Sequence, residues 1–400
     1  MVRKIIVLLI LILIAACSTQ DKSHDNILNL IDRSLKLARE QYMALNLELP
    51  DSLFPRSIDS SGMLVTNESG WWTSGFFPGS LWYLYEYSND PELKQTAIQK
   101  TGKLEREKFN VWDHDIGFKM YCSYGNKLRL TNDSSAIPIL LTSAQTLSKR
   151  FDNTVGCIRS WGSIKDRKEY LVIIDNMMNL ELLFWATKQT GDSSFYHIAV
   201  SHADKTLANH FRPDGSSYHV LVYDPANGKV LQKRTAQGYS DESSWSRGQA
   251  WGLYGYTMSY RETGLKRYLE QAQKIADFIV NHPNLPEDKI PYWDFNDPEI
   301  PDTYRDASAG AIIASALLDL ANYVNSDDRE RYLSTAEMII SSLSSDKYRS
   351  SLHTNGNFLI MHGVGDLPKG SEVDVPLSYS DYYYLESILR YLRNHKKLVK

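Results

Sequence analysis

Hydrophobic positions fall along this chain in two alternating patterns. In the first, apolar residues recur three and four apart with charged residues between them, the mark of a helix with one buried stripe. It covers 26–45, 91–108, 134–151, 193–211, 265–282 and 328–345. In the second, apolar, small and aromatic residues lie on most sides, as in a helix buried all round. Such segments begin near Trp72, Asp115, Asp175, Ser246, Asp306 and Ser378. Each outer-type segment is followed by an inner-type one. The pairs repeat in hydrophobic pattern and not in residue identity. The expected fold is all-α: a six-hairpin (α/α)6 toroid, one ring of helices around another.

The loops entering the inner segments are rich in Gly, Trp and polar residues, as in Gly70-Trp71-Trp72-Thr73-Ser74-Gly75, Ser160-Trp161-Gly162 and Ser244-Trp245-Ser246-Arg247-Gly248. Between Ser217 and Gln237 the helical pattern gives way to a small β-hairpin excursion, with Asp224-Pro225-Ala226-Asn227-Gly228 as its turn. In such a toroid the inner helices run one way, so their N-termini ring one mouth. That mouth gathers the positive ends of several helix dipoles and suits an anionic guest.

Length alone, 400 residues, is compatible with two domains, but no Pro-, Gly- or Ser-rich linker divides the chain. A single catalytic domain over 25–400 is expected. The net charge of −4 gives no reason to expect a nucleic-acid partner. Nine Trp and 25 Tyr are many, and flat apolar faces with a polar handle suit sugar rings.

Residues 1–17 read as a targeting segment: Arg3 and Lys4, an apolar run from Ile5 to Ala16, then Cys17. The run is too short to anchor the chain across a bilayer. The ending Leu13-Ile14-Ala15-Ala16-Cys17 resembles a bacterial lipoprotein signal, cleaved before Cys17 and lipidated on its thiol. Ser18 then favours an outer-membrane destination, so a lipid-anchored periplasmic or outer-membrane protein is expected. Cys122 and Cys157 read as buried small hydrophobes rather than a bridge. No Cys–His cluster has metal-site spacing, and no cofactor is implied.

The chemistry centres on two acids. Asp175 stands where an N-cap would, at the start of an apolar segment with Leu180, Leu183 and Phe184 on one face. Capping alone accounts for such an Asp. Asp115, in Trp112-Asp113-His114-Asp115-Ile116-Gly117-Phe118, repeats the arrangement, and two such acids on neighbouring inner helices face one pocket. A lone capping Asp is ionised near neutral pH and donates no proton. A second carboxylate and an apolar pocket raise one pKa of the pair. The helix end opposes this by only about 0.3–1 kcal/mol, so repulsion and desolvation are expected to win.

Five stretches in order resemble the unsaturated glucuronyl hydrolases, glycoside hydrolase family 88. They are Trp72-Thr73-Ser74-Gly75-Phe76, His114-Asp115-Ile116-Gly117-Phe118, Asp175-Asn176-Met177-Met178-Asn179, Trp245-Ser246-Arg247-Gly248-Gln249-Ala250-Trp251 and Ser378-Tyr379-Ser380-Asp381-Tyr382-Tyr383. The resemblance covers nearly the whole chain past residue 25. It implies the same toroid, and removal of a 4,5-unsaturated glucuronic acid from the non-reducing end of lyase-made oligosaccharides. It also implies that Asp175 protonates C4 and activates water while Asp115 partners it. Trp72, Trp161 and Trp251 are then expected to wall the sugar ring, with His219 and Gln237 reaching its hydroxyls or the water. Arg247 is expected near the uronate carboxylate or the acid pair, the alternative being a buried partner for an acid such as Asp241 or Glu242. His114 and Ser378 complete the expected binding set. Loop 362–374, holding Lys369 among acids, is expected to border the leaving sugar. Two rivals are an unsaturated rhamnogalacturonyl hydrolase and a sugar-binding lipoprotein without catalysis; the paired acids argue against the second.

Overall fold

The structure, a computed structural model, describes residues 27–166 and 168–398. The signal segment and Cys17 lie outside the described residues. Helix α1 (27–48) is followed by a hairpin, β1 (Phe54–Ile58) and β2 (Leu64–Asn67). Then come α2 (Phe76–Ser88), α3 (Pro91–Gly102), α4 (Ile116–Met120), α5 (Asn126–Thr131) and α6 (Ala136–Ser148). Short strands β3 (Phe151–Asp152), β4 (Cys157–Ile158) and β5 (Tyr170–Ile173) lead to α7 (Leu180–Thr190) and α8 (Ser193–His210). Strands β6 (Val220–Tyr223) and β7 (Val230–Arg234) precede α9 (Ser246–Thr263), α10 (Lys266–Val280), α11 (Ala307–Leu320) and α12 (Ser326–Leu343). A last hairpin, β8 (Gly363–Asp366) and β9 (Ser371–Val375), leads into α13 (Ser378–Leu398).

The inner ring closes through α2, the α4–α5 segment, α7, α9, α11 and α13, each against the next, with α13 back on α2. Outside it, α3 packs on α2, α6 and α8 on α7, α10 on α9 and α12 on α11. This is the expected (α/α)6 toroid. Outer helices start at local caps: the Asp90, Asp192 and Asn325 side chains accept N–H groups of the first turn. Inner helices are buried over most of their length; every residue of α11 from Ala307 to Leu318 is buried. Small residues let the rings close. A Cβ on Gly117 would stand 2.5 Å from Asn179 Oδ1, so α4 lies directly against the Asp175 segment.

Three expectations need correction. The helix expected at Asp175 begins later: Ile174–Asn179 is a 3₁₀ segment, and α7 proper starts at Leu180. Asp175 is therefore not an N-cap, and its segment has no side-chain cap. The second inner helix is broken, α4 and α5 being joined by a π-helical turn at Tyr121–Gly125. The excursion is also larger than a hairpin, because β5 joins β6 and β7 in an antiparallel sheet, Ile173 opposite Val220. Among the described residues Cys122 and Cys157 are both free thiols.

Candidate active site

Four loops converge over the N-terminal ends of the inner helices. The first carries Trp72 into α2; its ring lies 4.9 Å from that of Tyr379 and edge-on to Phe118. The second carries His114 and Asp115 into α4, with the His114 amide donating to Ser160 O at 3.1 Å. The third, between β4 and β5, carries Trp161. Buried Arg150 ties the second loop to the third: its guanidinium donates to the carbonyls of Val111, Arg159, Ser160 and Gly162. The fourth is the turn from β5 into the 3₁₀ segment, where Ile173 N donates to Ser160 Oγ at 2.9 Å and Ile174 N to His219 O at 3.1 Å. Asp175 is thereby aimed off a strand end rather than a helix start.

The resulting pocket is lined by Trp72, His114, Asp115, Trp161, Asp175, Gln237 and Arg247, together with Phe118 and Ile173. Seven of the ten expected catalytic and binding residues thus share one wall. His219 stands just behind it, its ring 4.4 Å from that of Trp245 and its Nε2 3.7 Å from Asp175 Oδ2. Trp251 is not part of the wall: it is 1% exposed and packs between Phe118 and Tyr383 as core. Ser378 is buried at the start of α13 and likewise outside the lining; among the described residues Ser378 Oγ and Trp251 Nε1 have no hydrogen-bond partner.

Arg247 faces the pocket, but its anion is neither Asp241 nor Glu242. Those accept from Thr235 N and Tyr218 Oη. Arg247 Nη1 pairs with Asp306 Oδ2 at 3.0 Å, and its Nη2 donates to Gly365 O at 2.6 Å. Gln237 Nε2 donates to the same carbonyl at 2.9 Å. The β8–β9 hairpin is thus pinned to the pocket from two sides. Lys369, on that hairpin, is engaged by Asp366 at 2.6 Å.

Burial sets the proton inventory. Asp175 is pushed up to about 7 by burial, with the Arg247 charge pulling the other way. Asp115 is driven well above the usual carboxylate range, first by burial and next by the neighbouring Asp113 charge; Asp175 adds to the rise, while Lys119 and Arg150 oppose it. Burial likewise lowers His114 to about 3 and His219 well below its ordinary value, so both rings are neutral. His114 Nε2 lies 3.2 Å from Asp115 Oδ1. Among the described residues, His219 Nε2 and Asp175 Oδ2 are buried without hydrogen-bond partners. Such atoms are costly unless a ligand meets them.

Several of these residues escape a reading of pattern alone. Phe118 sits inside the quoted His114–Phe118 stretch. Lys119 is a charge in an otherwise apolar helix, which is itself a signal. Asp306 marks a helix start, but nothing local links it to Arg247. A larger cavity of about 440 Å³ lies toward the C-terminal halves of the inner helices. Its Arg261 and Arg390 are engaged in ion pairs with Glu181, Glu262, Asp319 and Glu386.

Residues 54–393 match the model of Glycosyl Hydrolase Family 88. The chain is 48% identical over 339 residues to the unsaturated glucuronyl hydrolase of Formosa agariphila, covering 84% of each chain. It superposes on the crystal structure of an unsaturated glucuronyl hydrolase specific for heparin with a TM-score of 0.89, at 46% identity, covering 92% of this chain and 98% of the other. A variant of the Streptococcus agalactiae unsaturated glucuronyl hydrolase, solved with dGlcA-GalNAc6S, gives a TM-score of 0.78 at 30% identity, covering 91% and 92% of the two chains.

Proposed function

This chain belongs to glycosyl hydrolase family 88, and we infer from that premise that it removes 4,5-unsaturated glucuronic acid from the non-reducing end of lyase-made glycosaminoglycan or related fragments. It is a glycosidase. The observation that supports this reading best is the pair of carboxyls, Asp115 and Asp175, both raised by burial in one pocket. An ordinary glycosidase needs one protonated and one ionised carboxyl flanking the acetal. A vinyl ether needs something else, an acid able to protonate carbon near neutral pH.

Asp175, poised about pH 7, is the proton donor to C4. Cation character then develops at C5, shared with the ring oxygen. Water adds at C5 and returns its proton to the Asp175 carboxylate. The C5 hemiketal opens by cleaving its bond to the ring oxygen, which leaves C1 as a hemiacetal. That hemiacetal collapses to an aldehyde and releases the leaving sugar, with no attack at C1. Asp115, held neutral, donates a hydrogen bond to substrate or water. Arg247, paired with Asp306, lines the same pocket as Asp175 and is the guanidinium that would face the uronate. Trp72 and Trp161 offer faces to the ring, and His114 and Gln237 offer polar atoms to its hydroxyls.

The test is loss of ultraviolet absorbance from the conjugated uronate. Disaccharides made by lyases from hyaluronan, chondroitin, heparin, gellan and ulvan are incubated with the protein, beside unsaturated rhamnogalacturonan disaccharide. Loss of signal from at least one glucuronyl substrate is expected. Turnover of the rhamnogalacturonan product alone would overturn the assignment in favour of the pectin-directed reaction.

A further inference from the structure

Lys119 lies on α4 four residues after Asp115, among the buried side chains of Ile116, Phe118 and Met120. It is fully buried. Its Nζ donates to Asp113 Oδ1 at 3.1 Å and to Gly70 O at 3.3 Å. Asp113 Oδ1 also accepts the backbone N–H of Asp115 at 2.9 Å. One ammonium therefore joins the loop carrying Trp72 to the loop carrying His114 and Asp115. Taking an ammonium and a carboxylate out of water is expensive, and well-packed apolar residues of similar volume usually replace such a pair without loss. A charge pair retained directly under the pocket thus points to a use for the charge.

We propose that Asp113 and Lys119 are a positioning pair for the reaction: they fix the Asp115 backbone against the Gly70–Trp72 loop and place two opposed charges beside its carboxyl. The proposal rests on the reading of Asp115 as the neutral partner of Asp175. The groups facing Asp115 are Asp113 on its own loop, Lys119 on its own helix, neutral His114, Asp175 from the 3₁₀ segment and Arg150 from the end of α6. Behind Asp175 stand Arg247 and neutral His219. Asp113 and Asp175 favour the protonated form of Asp115; Lys119 and Arg150 favour the ionised one. Lys119 also neutralises Asp113, so the two together hold Asp115 between these limits.

Removing the charges one at a time separates this role from mere bracing. In Asp113→Asn an amide oxygen still accepts the Asp115 N–H, but a negative charge is lost and Lys119 keeps Glu107, which also faces it, as its remaining anion. Lys119→Met does the reverse. The readout is a difference-infrared pH titration of the full chain, with the Asp115 carboxyl band identified by its disappearance in Asp115→Asn. Asp113→Asn is expected to lower the pH at which Asp115 ionises by about one unit or more, and Lys119→Met to raise it. The double variant is expected to titrate near wild type. Shifts in the same direction in both single variants, or none in either, would overturn the proposal whatever happens to the melting temperature. Should Lys119→Met not fold, the downward shift in Asp113→Asn and its restoration in the double variant decide alone. The titration needs no turnover, so its failure is distinct from failure on the disaccharide panel.

Discussion

His219 Nε2 stands 3.7 Å from Asp175 Oδ2, and two backbone amides fix which ring nitrogen carries the proton. His219 Nδ1 accepts from Ala236 N at 3.2 Å and from Gln237 N at 3.3 Å. The neutral ring therefore bears its proton on Nε2, toward the acid. At 3.7 Å the two do not bond directly, and the gap suits an oxygen held between them. His219→Ala should lower kcat/KM by roughly 10–100-fold, the value of a hydrogen bond to a charged or charging group. Steady-state kinetics on one unsaturated disaccharide checks this; a loss of less than a few-fold would place His219 outside the reaction.

Asp175→Asn should lower turnover by about 10²–10⁴-fold, since only a titratable group supplies the C4 proton. It should also stabilise the fold above neutrality. The folded pKa is raised to about 7 from an unfolded value of about 3.9. The native state then binds more protons than the unfolded one between these values, so this group's contribution falls as pH rises through that window. Asn escapes the penalty. Melting temperatures of wild type and variant should coincide near pH 4 and diverge by pH 8, with the variant higher.

Asp115→Asn tests which acid ionises first. Repulsion between two carboxylates, as expected from the sequence, makes the alkaline limb of activity move to lower pH when Asp115 is removed. The structure supports a different expectation: burial raises both carboxyls, the Asp175 charge adds to the rise of Asp115, and Asp175 is shifted by burial and Arg247, so Asp115 is expected to be neutral in the active form. Replacing a neutral carboxyl by a neutral amide removes no charge. The alkaline limb of kcat/KM should stay near pH 7 while kcat falls. A limb displaced downward by about a unit would show that Asp115 is ionised in the active form.

Cys17→Ser should leave activity unchanged and move the protein from the membrane fraction to the soluble fraction, or stall its processing. The ground for this is the small-residue run that ends at Cys17. Exported wild-type protein found wholly in the soluble fraction would count against lipidation.

Much of the fold was legible along the chain because a helix is a local object. Its hydrophobic period and its caps, such as Asp90 before Pro91, are set by residues within a few positions of one another. Six alternations of stripe-faced and all-round apolar segments therefore predicted two rings and their order. The pattern also singled out Asp115 and Asp175 as paired acids, and the resemblance gave them roles and added Trp72 and Arg247 as binders. What those residues do to one another was decided only by the closed structure. Arg247 meets Asp306 across 59 positions, and strand β5 meets β6 across some fifty, to aim Asp175 from a strand end. Trp251 shares a quoted stretch with Arg247, yet one side chain reaches the pocket and the other fills the core. Proton affinity belongs to the same class. A carboxyl's charge state follows from how much water the whole ring excludes and which charges lie within a few ångströms, and neither is written in the residues beside it.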